Sequence, residues 1–223
     1  MEIRDYPDRE MLAMGLADNL AASLKSCLLT HDRASFCVPG GTSPGETFSL
    51  LSGSDLDWGR VDVFLNDERW VPEGHERSNT SLLRRTLLTG RAQAANLVPM
   101  VTEDSAPEDG IPALADGFAP VLPISVLLLG MGADMHTASL FPGADRLAEA
   151  MGPDAPVLVP MRAGGAPEPR VTLSRPVLAD AIETHVLIMG EEKRMVLEAA
   201  RGRDPMEAPI AAFLGEATVH WAP

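Results

Sequence analysis

The run ISVLLLG, residues 124–130, carries no charge and is shorter than an ordinary core helix. A strand of this kind has no polar face to offer water. Both faces need cover, which is the situation inside a parallel sheet coated by helices. Similar runs lie at ASFCV, RVDVFLND and THVLIMG, and weaker strand patterns at NLVPM, APVLVP, RVTLS and ATVHW. Helical periodicities fall between them. Leu12, Leu16, Leu20, Leu24 and Leu28 recur every four residues from a start near Pro7. SPGETFSLLS is a second helix. SNTSLLRRTLL is a third, with Ser78 as N-cap and Leu82, Leu83 and Leu87 as its buried side. EEKRMVLEAAR is a fourth, ended by Gly202. Alternating strands and helices predict an α/β fold, three αβα layers around a mostly parallel, Rossmann-like sheet. The 223 residues fit a single domain spanning 1–223. Residues 102–123, rich in Pro, Gly, Asp and Glu, predict a loop with at most a short helix near 111–118.

In open α/β sheets ligands bind beyond the carboxyl ends of the strands. Four polar clusters follow strands here: PGGTSP, NDERW, GMGADMHT and GEEK. One shared site is the simplest consequence.

A formal net charge of −14 argues against a nucleic-acid partner, because phosphate backbones need a basic footprint. It leaves room for a small anion, since a few converging cations make a local positive field. No apolar run approaches the ~18 residues of a membrane span, and the opening MEIRDYPDRE is not a secretory signal. Cys27 and Cys37 are the only cysteines and are expected to be reduced, as in a cytoplasmic protein. A monomer is compatible with this composition.

PGGTSPG admits two readings. Gly41-Thr42-Ser43-Pro44-Gly45 has the letters of a hydrolase serine elbow, G-x-S-x-G. That elbow needs the N–H of the residue after serine, and Pro44 has none. Free amides of Gly40 and Gly41, with the hydroxyls of Thr42 and Ser43, suit a phosphate better. In GMGADMHTASLFPG, Gly130 and Gly132 lack the third glycine of a dinucleotide fingerprint. His136 near Asp134 is a general base in one reading and a turn histidine bonded to backbone in the other. Asp67, Glu68 and Arg69, with Arg77 beyond, read singly as a salt-bridged loop, and Arg170 and Lys193 as surface cations. The five histidines show no zinc spacing, so no metal is expected.

As an ordered set these clusters resemble the 6-phosphogluconolactonase family over nearly the whole chain. The correspondence runs through PGGTSP, NDERWVPEGHERSN, LGMGADMHTASLFPG, RVTLS and GEEK, with APIAAFL weaker. The resemblance implies hydrolysis of a sugar-phosphate lactone, 6-phospho-D-glucono-1,5-lactone, with His136 as general base and no cofactor. Asp134 and Asp67 would orient His136 and the sugar hydroxyls. Arg69, Arg77, Arg170 and Lys193, with Gly40, Gly41, Thr42 and Ser43, would bind substrate and its phosphate. The wider group includes glucosamine-6-phosphate deaminase, whose relay needs a glutamate five residues after the histidine; Phe141 stands there. A non-catalytic sugar-phosphate sensor on the same fold is the alternative. Met135 replaces the family's usual glycine, a strained choice if that position has φ > 0. Ser125 replaces an aspartate common before the apolar run, and VHWAP lacks the usual aromatic–acidic tail.

Overall fold

The computed structural model describes residues 1–164 and 166–223. In chain order the elements are β1 (Glu2–Asp5), α1 (Arg9–Thr30), β2 (Ala34–Val38), α2 (Gly45–Leu51), β3 (Val61–Leu65) and β4 (Asp67–Arg69). There follow α3 (Asn79–Thr86), β5 (Asn96–Leu97), α4 (Pro107–Phe118), β6 (Val126–Gly130), α5 (Leu147–Ala150) and β7 (Leu158–Met161). The chain ends with β8 (Arg170–Leu173), α6 (Arg175–Ala179), β9 (Glu183–Met189), α7 (Glu191–Ala200) and β10 (Thr218–Ala222). Seven strands form a wholly parallel sheet in the order β1-β10-β9-β6-β2-β3-β5. Every residue of β2 and β3 is buried, as two-sided cover requires. Among the described residues, no helix is long and apolar enough to cross a membrane.

Helix α1 starts where Asp8 accepts the N–H of Met11, and it buries Leu12, Leu16, Leu20 and Leu24. Ser78 caps α3 by accepting the N–H of Ser81. Leu83 and Leu87 are buried, whereas Leu82, expected beside them, is only half-buried. Gly202 (φ 73°) lies just beyond α7, as a helix stop requires.

Three features differ from the sequence expectation. The polar opening segment is not merely a lead-in to α1; β1 pairs along β10 at the edge of the main sheet. The strands at APVLVP and RVTLS form, but they leave the parallel sheet. With β4, expected as loop, they build a separate antiparallel sheet in the order β4-β8-β7. Asn66 joins the two sheets: its N–H donates to Val38 O (2.9 Å) and its carbonyl accepts the N–H of Leu173 (2.9 Å). Finally, α4 runs twelve residues where at most a short helix was expected. Pro107 occupies the first turn, where its missing N–H costs nothing. Pro112 lies inside, yet packing overrides propensity. Phe118 meets Phe64 edge-on at 5.4 Å, and Gly110 fits against Trp70 where a Cβ would come within 2.7 Å.

A buried histidine chain crosses β10 and β9. Tyr6 Oη lies 2.9 Å from His220 Nδ1, and His220 Nε2 lies 3.1 Å from His185 Nδ1. His185 Nε2 is 3.1 Å from Glu183 Oε1. The chain is self-consistent with both imidazoles neutral, Tyr6 donating to His220 and His220 donating to His185. Burial, then the charges of His185 and Arg4, push His220 down to about 3. Burial likewise lowers His185, with Glu183 opposing. A base held neutral in the fold but protonated in the open chain makes stability fall as pH drops below the unfolded value of about 6.5. The loss continues toward the folded value. Unfolding free energies from urea titrations should fall steeply from pH 7 to 4, and His220→Gln should remove about one proton from that dependence.

Candidate active site

The carboxyl ends of β2, β3, β6 and β9 open onto one cavity of about 330 Å³. Gly40, Gly41 and Ser43 come from the turn after β2; Asn66, Asp67 and Arg69 from the chain after β3; Gly132 and His136 from the turn after β6; Lys193 from α7; and Arg170 from β8. The four polar clusters do converge.

In the first turn Gly41 has φ 82°, which only glycine adopts without strain. Gly40 is pressed on the Asn79 amide: a Cβ there would come within 2.1 Å of it. The N–H groups of Gly40, Gly41, Thr42 and Ser43 find no acceptor among the described residues. Thr42 is the one predicted residue of this turn that does not line the cavity.

NDERW divides its side chains. Asp67 is buried and accepts from Ser139 Oγ at 2.5 Å, with Arg170 Nη1 at 3.4 Å from the same carboxylate oxygen. Glu68 turns the other way, to the start of α3. Its carboxylate takes the N–H groups of Arg69 (2.7 Å), Asn79 (2.8 Å) and Thr80 (2.6 Å), together with two hydroxyls. Burial pushes the Glu68 carboxyl up, and those N–H groups pull against it. Neither Ser139 nor Glu68 was singled out from sequence as a site or capping residue. Ser139 sits within the quoted HTASLFP run, but nothing in its spacing tells a buried hydroxyl from an exposed one.

The cations separate as well. Arg69 on β4 faces Arg170 on β8 across the antiparallel pair. Burial pulls Arg170 below its ordinary value, with Asp67 opposing. Lys193 Nζ donates to Met131 O at 2.7 Å; burial lowers it, and Asp134 and Glu192 raise it. Arg77 does not line the cavity. It pairs with Glu168 at 3.0 Å.

His136 faces the cavity, and its Nδ1 lies 2.5 Å from Asp134 Oδ1. Burial would raise the Asp134 carboxyl, but the His136 hydrogen bond and charge outweigh it and hold it below the usual range. An ionised Asp134 accepts from Nδ1–H, leaving Nε2 with its lone pair. The turn is closed by Gly132 N–H to His136 O (2.9 Å) and Met135 N–H to Gly132 O (3.1 Å). It is anchored by Ile210 N–H donating to Met135 O (3.1 Å), so APIAAFL buttresses the histidine loop. Met135 has φ 67° and Ala138 φ 49°. Methionine thus keeps the left-handed backbone, at roughly 1–2 kcal/mol. A β-branched side chain is worse there. Met135→Ile should lose about 1–3 kcal/mol in urea unfolding, while Met135→Gly should stay within about 1 kcal/mol of the parent, relief being offset by unfolded-chain entropy.

These motifs recur in known proteins. The model of the glucosamine-6-phosphate isomerase/6-phosphogluconolactonase family matches residues 7–221. The chain belongs to this family. A 6-phosphogluconolactonase of Pseudomonas aeruginosa is 43% identical over 216 residues, 95% of this chain and 90% of that protein. One of Mesorhizobium japonicum is 40% identical over 225 residues, 98% and 94%. The crystal structure of a 6-phosphogluconolactonase from Shewanella baltica superposes with a TM-score of 0.96 at 31% identity, covering 100% of this chain and 98% of that one. A monomeric glucosamine-6-phosphate deaminase has a TM-score of 0.77 at 16% identity, which shows a common fold alone. Within this family Phe141 is informative. Its ring lies 4.3 Å from that of His136, and the Arg170 guanidinium sits 5.2 Å over it. An aromatic ring there walls the imidazole and moves no proton.

Proposed function

We propose that the protein hydrolyses 6-phospho-D-glucono-1,5-lactone to 6-phospho-D-gluconate, the lactone-opening step of the oxidative pentose phosphate pathway. The observation that carries this reading is His136, paired with Asp134 on one side and walled by Phe141 on the other, facing a cavity with Arg69, Arg170 and Lys193. His136 Nε2 takes a proton from water as its oxygen attacks the lactone carbonyl. The tetrahedral intermediate then expels the ring oxygen, which receives that proton from the imidazolium. Asp134 fixes the tautomer and stabilises the charged imidazole. Asp67, held by Ser139 and Arg170, is placed to orient a ring hydroxyl. The phosphate lies against Arg69 and Arg170, with the free amides of Gly40, Gly41 and Ser43. Thr42 shares this turn without facing the cavity, and Arg77 stands one shell out. Lactones are activated esters, so base catalysis and positioning supply enough acceleration.

Lactone generated freshly in buffer should disappear faster with the protein than without it, and glucosamine 6-phosphate should release no ammonia. Equal lactone decay in both samples would remove the reading. Binding of 6-phosphogluconate without turnover would leave the sensor.

A further inference from the structure

The wall around Arg69 and Arg170 is unbalanced. Two guanidiniums lie opposite each other in the β4–β8 register, a repulsive arrangement. Asp67 offsets one of them. A third arginine, Arg77, is tied to the same cluster by its backbone, whose carbonyl accepts from Arg69 Nη1 at 2.6 Å. Yet its own charge is turned to Glu168 Oε1. The other Glu168 oxygen is buried with no partner, and so are Arg69 Nε and Arg170 Nε, among the described residues. Glu168 is the more fixed member of its pair. Its side chain is 17% exposed against 39% for Arg77, and the next residue, Pro169, accepts the N–H of Trp70. Arg77 can therefore swing without disturbing the core, whereas Glu168 cannot.

Resting on the site reading above, we propose that Glu168 sets the phosphate affinity: it holds Arg77 outside the cavity in the free protein, and a phosphate between Arg69 and Arg170 draws Arg77 away. A phosphate monoester brings close to two negative charges. Arg69, Arg170 and Lys193, set against Asp67 and the ionised Asp134 beside Lys193, together carry only one net positive charge. The released Arg77 supplies the second, at the expense of leaving Glu168 unpaired. Glu168 is a positioning residue in this account, acting through Arg77 and touching no reacting atom.

The test is a double-mutant cycle read by calorimetric binding. Glu168→Gln should tighten 6-phosphogluconate and inorganic phosphate by roughly three- to tenfold, the range of one partly screened surface charge. It should leave the weak binding of unphosphorylated gluconate unchanged. The gain should vanish in an Arg77→Ala background. An equal gain with Arg77→Ala would make Glu168 a mere source of field and overturn the proposal, and so would no gain or weaker binding. In the unaltered protein, phosphate titration should shift the Arg77 Nε resonance; an unmoved resonance overturns the exchange even if the variant misfolds. Lactone turnover measured alongside separates the two readings. Normal turnover with an unchanged Glu168→Gln affinity sinks this proposal alone. The expected cycle without turnover sinks the lactonase reading alone.

Discussion

His136→Ala is expected to lower kcat/KM for the phosphorylated lactone by about 10²–10⁴, the share that a positioned general base supplies. The loss should fall on kcat, because the imidazole contributes little to holding the phosphate. Binding of 6-phosphogluconate should change less than threefold, a rough bound for a residue with no phosphate contact. Asp134→Asn probes the same machinery differently. An amide can present its N–H₂ to Nδ1 and favour the tautomer in which Nε2 carries the proton, the wrong one for a base. Its kcat should fall with His136 still in place. Stopped-flow assay of freshly made lactone, with spontaneous opening subtracted, measures all of these. A His136→Ala rate within threefold of the parent would remove the base from the mechanism.

The second large effect is expected at Gly132. A Cβ there would stand 2.1 Å from His136 Nδ1, 2.2 Å from its Cε1 and 2.4 Å from Asp134 Oδ1. At those distances the ring and the carboxylate it is bonded to must shift together. Gly132→Ala should therefore displace the imidazole by about an ångström and cost about 10²-fold in kcat. Gly130 provides the control, because its Cβ would meet only Pro39 Cβ at 4.0 Å. Gly130→Ala should keep most of the activity. The two variants differ by one methyl two residues apart, so equal losses would mean that the loop backbone matters and the ring position does not.

Much of this was legible in the residues. Buried strands such as ASFCV and ISVLLLG announce themselves, because two-sided burial leaves no polar position for confusion. Ser78 was readable as a cap, and the polar ends of β2, β3, β6 and β9 as one site, because a parallel sheet sends all its carboxyl ends the same way. Elements held by partners remote in sequence were not legible. Nothing in Glu2–Asp5 reveals that β10 will pair with it, and nothing in Asp67–Arg69 reveals that β8 will. Helix α4 was underestimated because Pro112 and Gly110 lower its propensity, while Trp70 and Phe64, which stabilise it, lie elsewhere in the chain. Arg77 shows the same limit at the site. Its place in NDERWVPEGHERSN marks it as relevant, but only Glu168, far downstream, decides which way its charge points.

The edge pair β1–β10 also governs when the molecule can be finished during synthesis. Glu2 sits beside Thr218 and Asp5 beside Trp221, so β1 cannot pair until β10, far downstream, has been made. Until then β9 lacks its β10 neighbour, and β1 has no mate at all. A growing chain can assemble β2, β3 and β6 early, yet it carries two unsatisfied strand margins until β10 is made. Loss of Thr218–Ala222 would strip β1 and β9 of their shared neighbour at once, so a chain without β10 should be a substrate for chaperones and proteases rather than a slightly weaker enzyme.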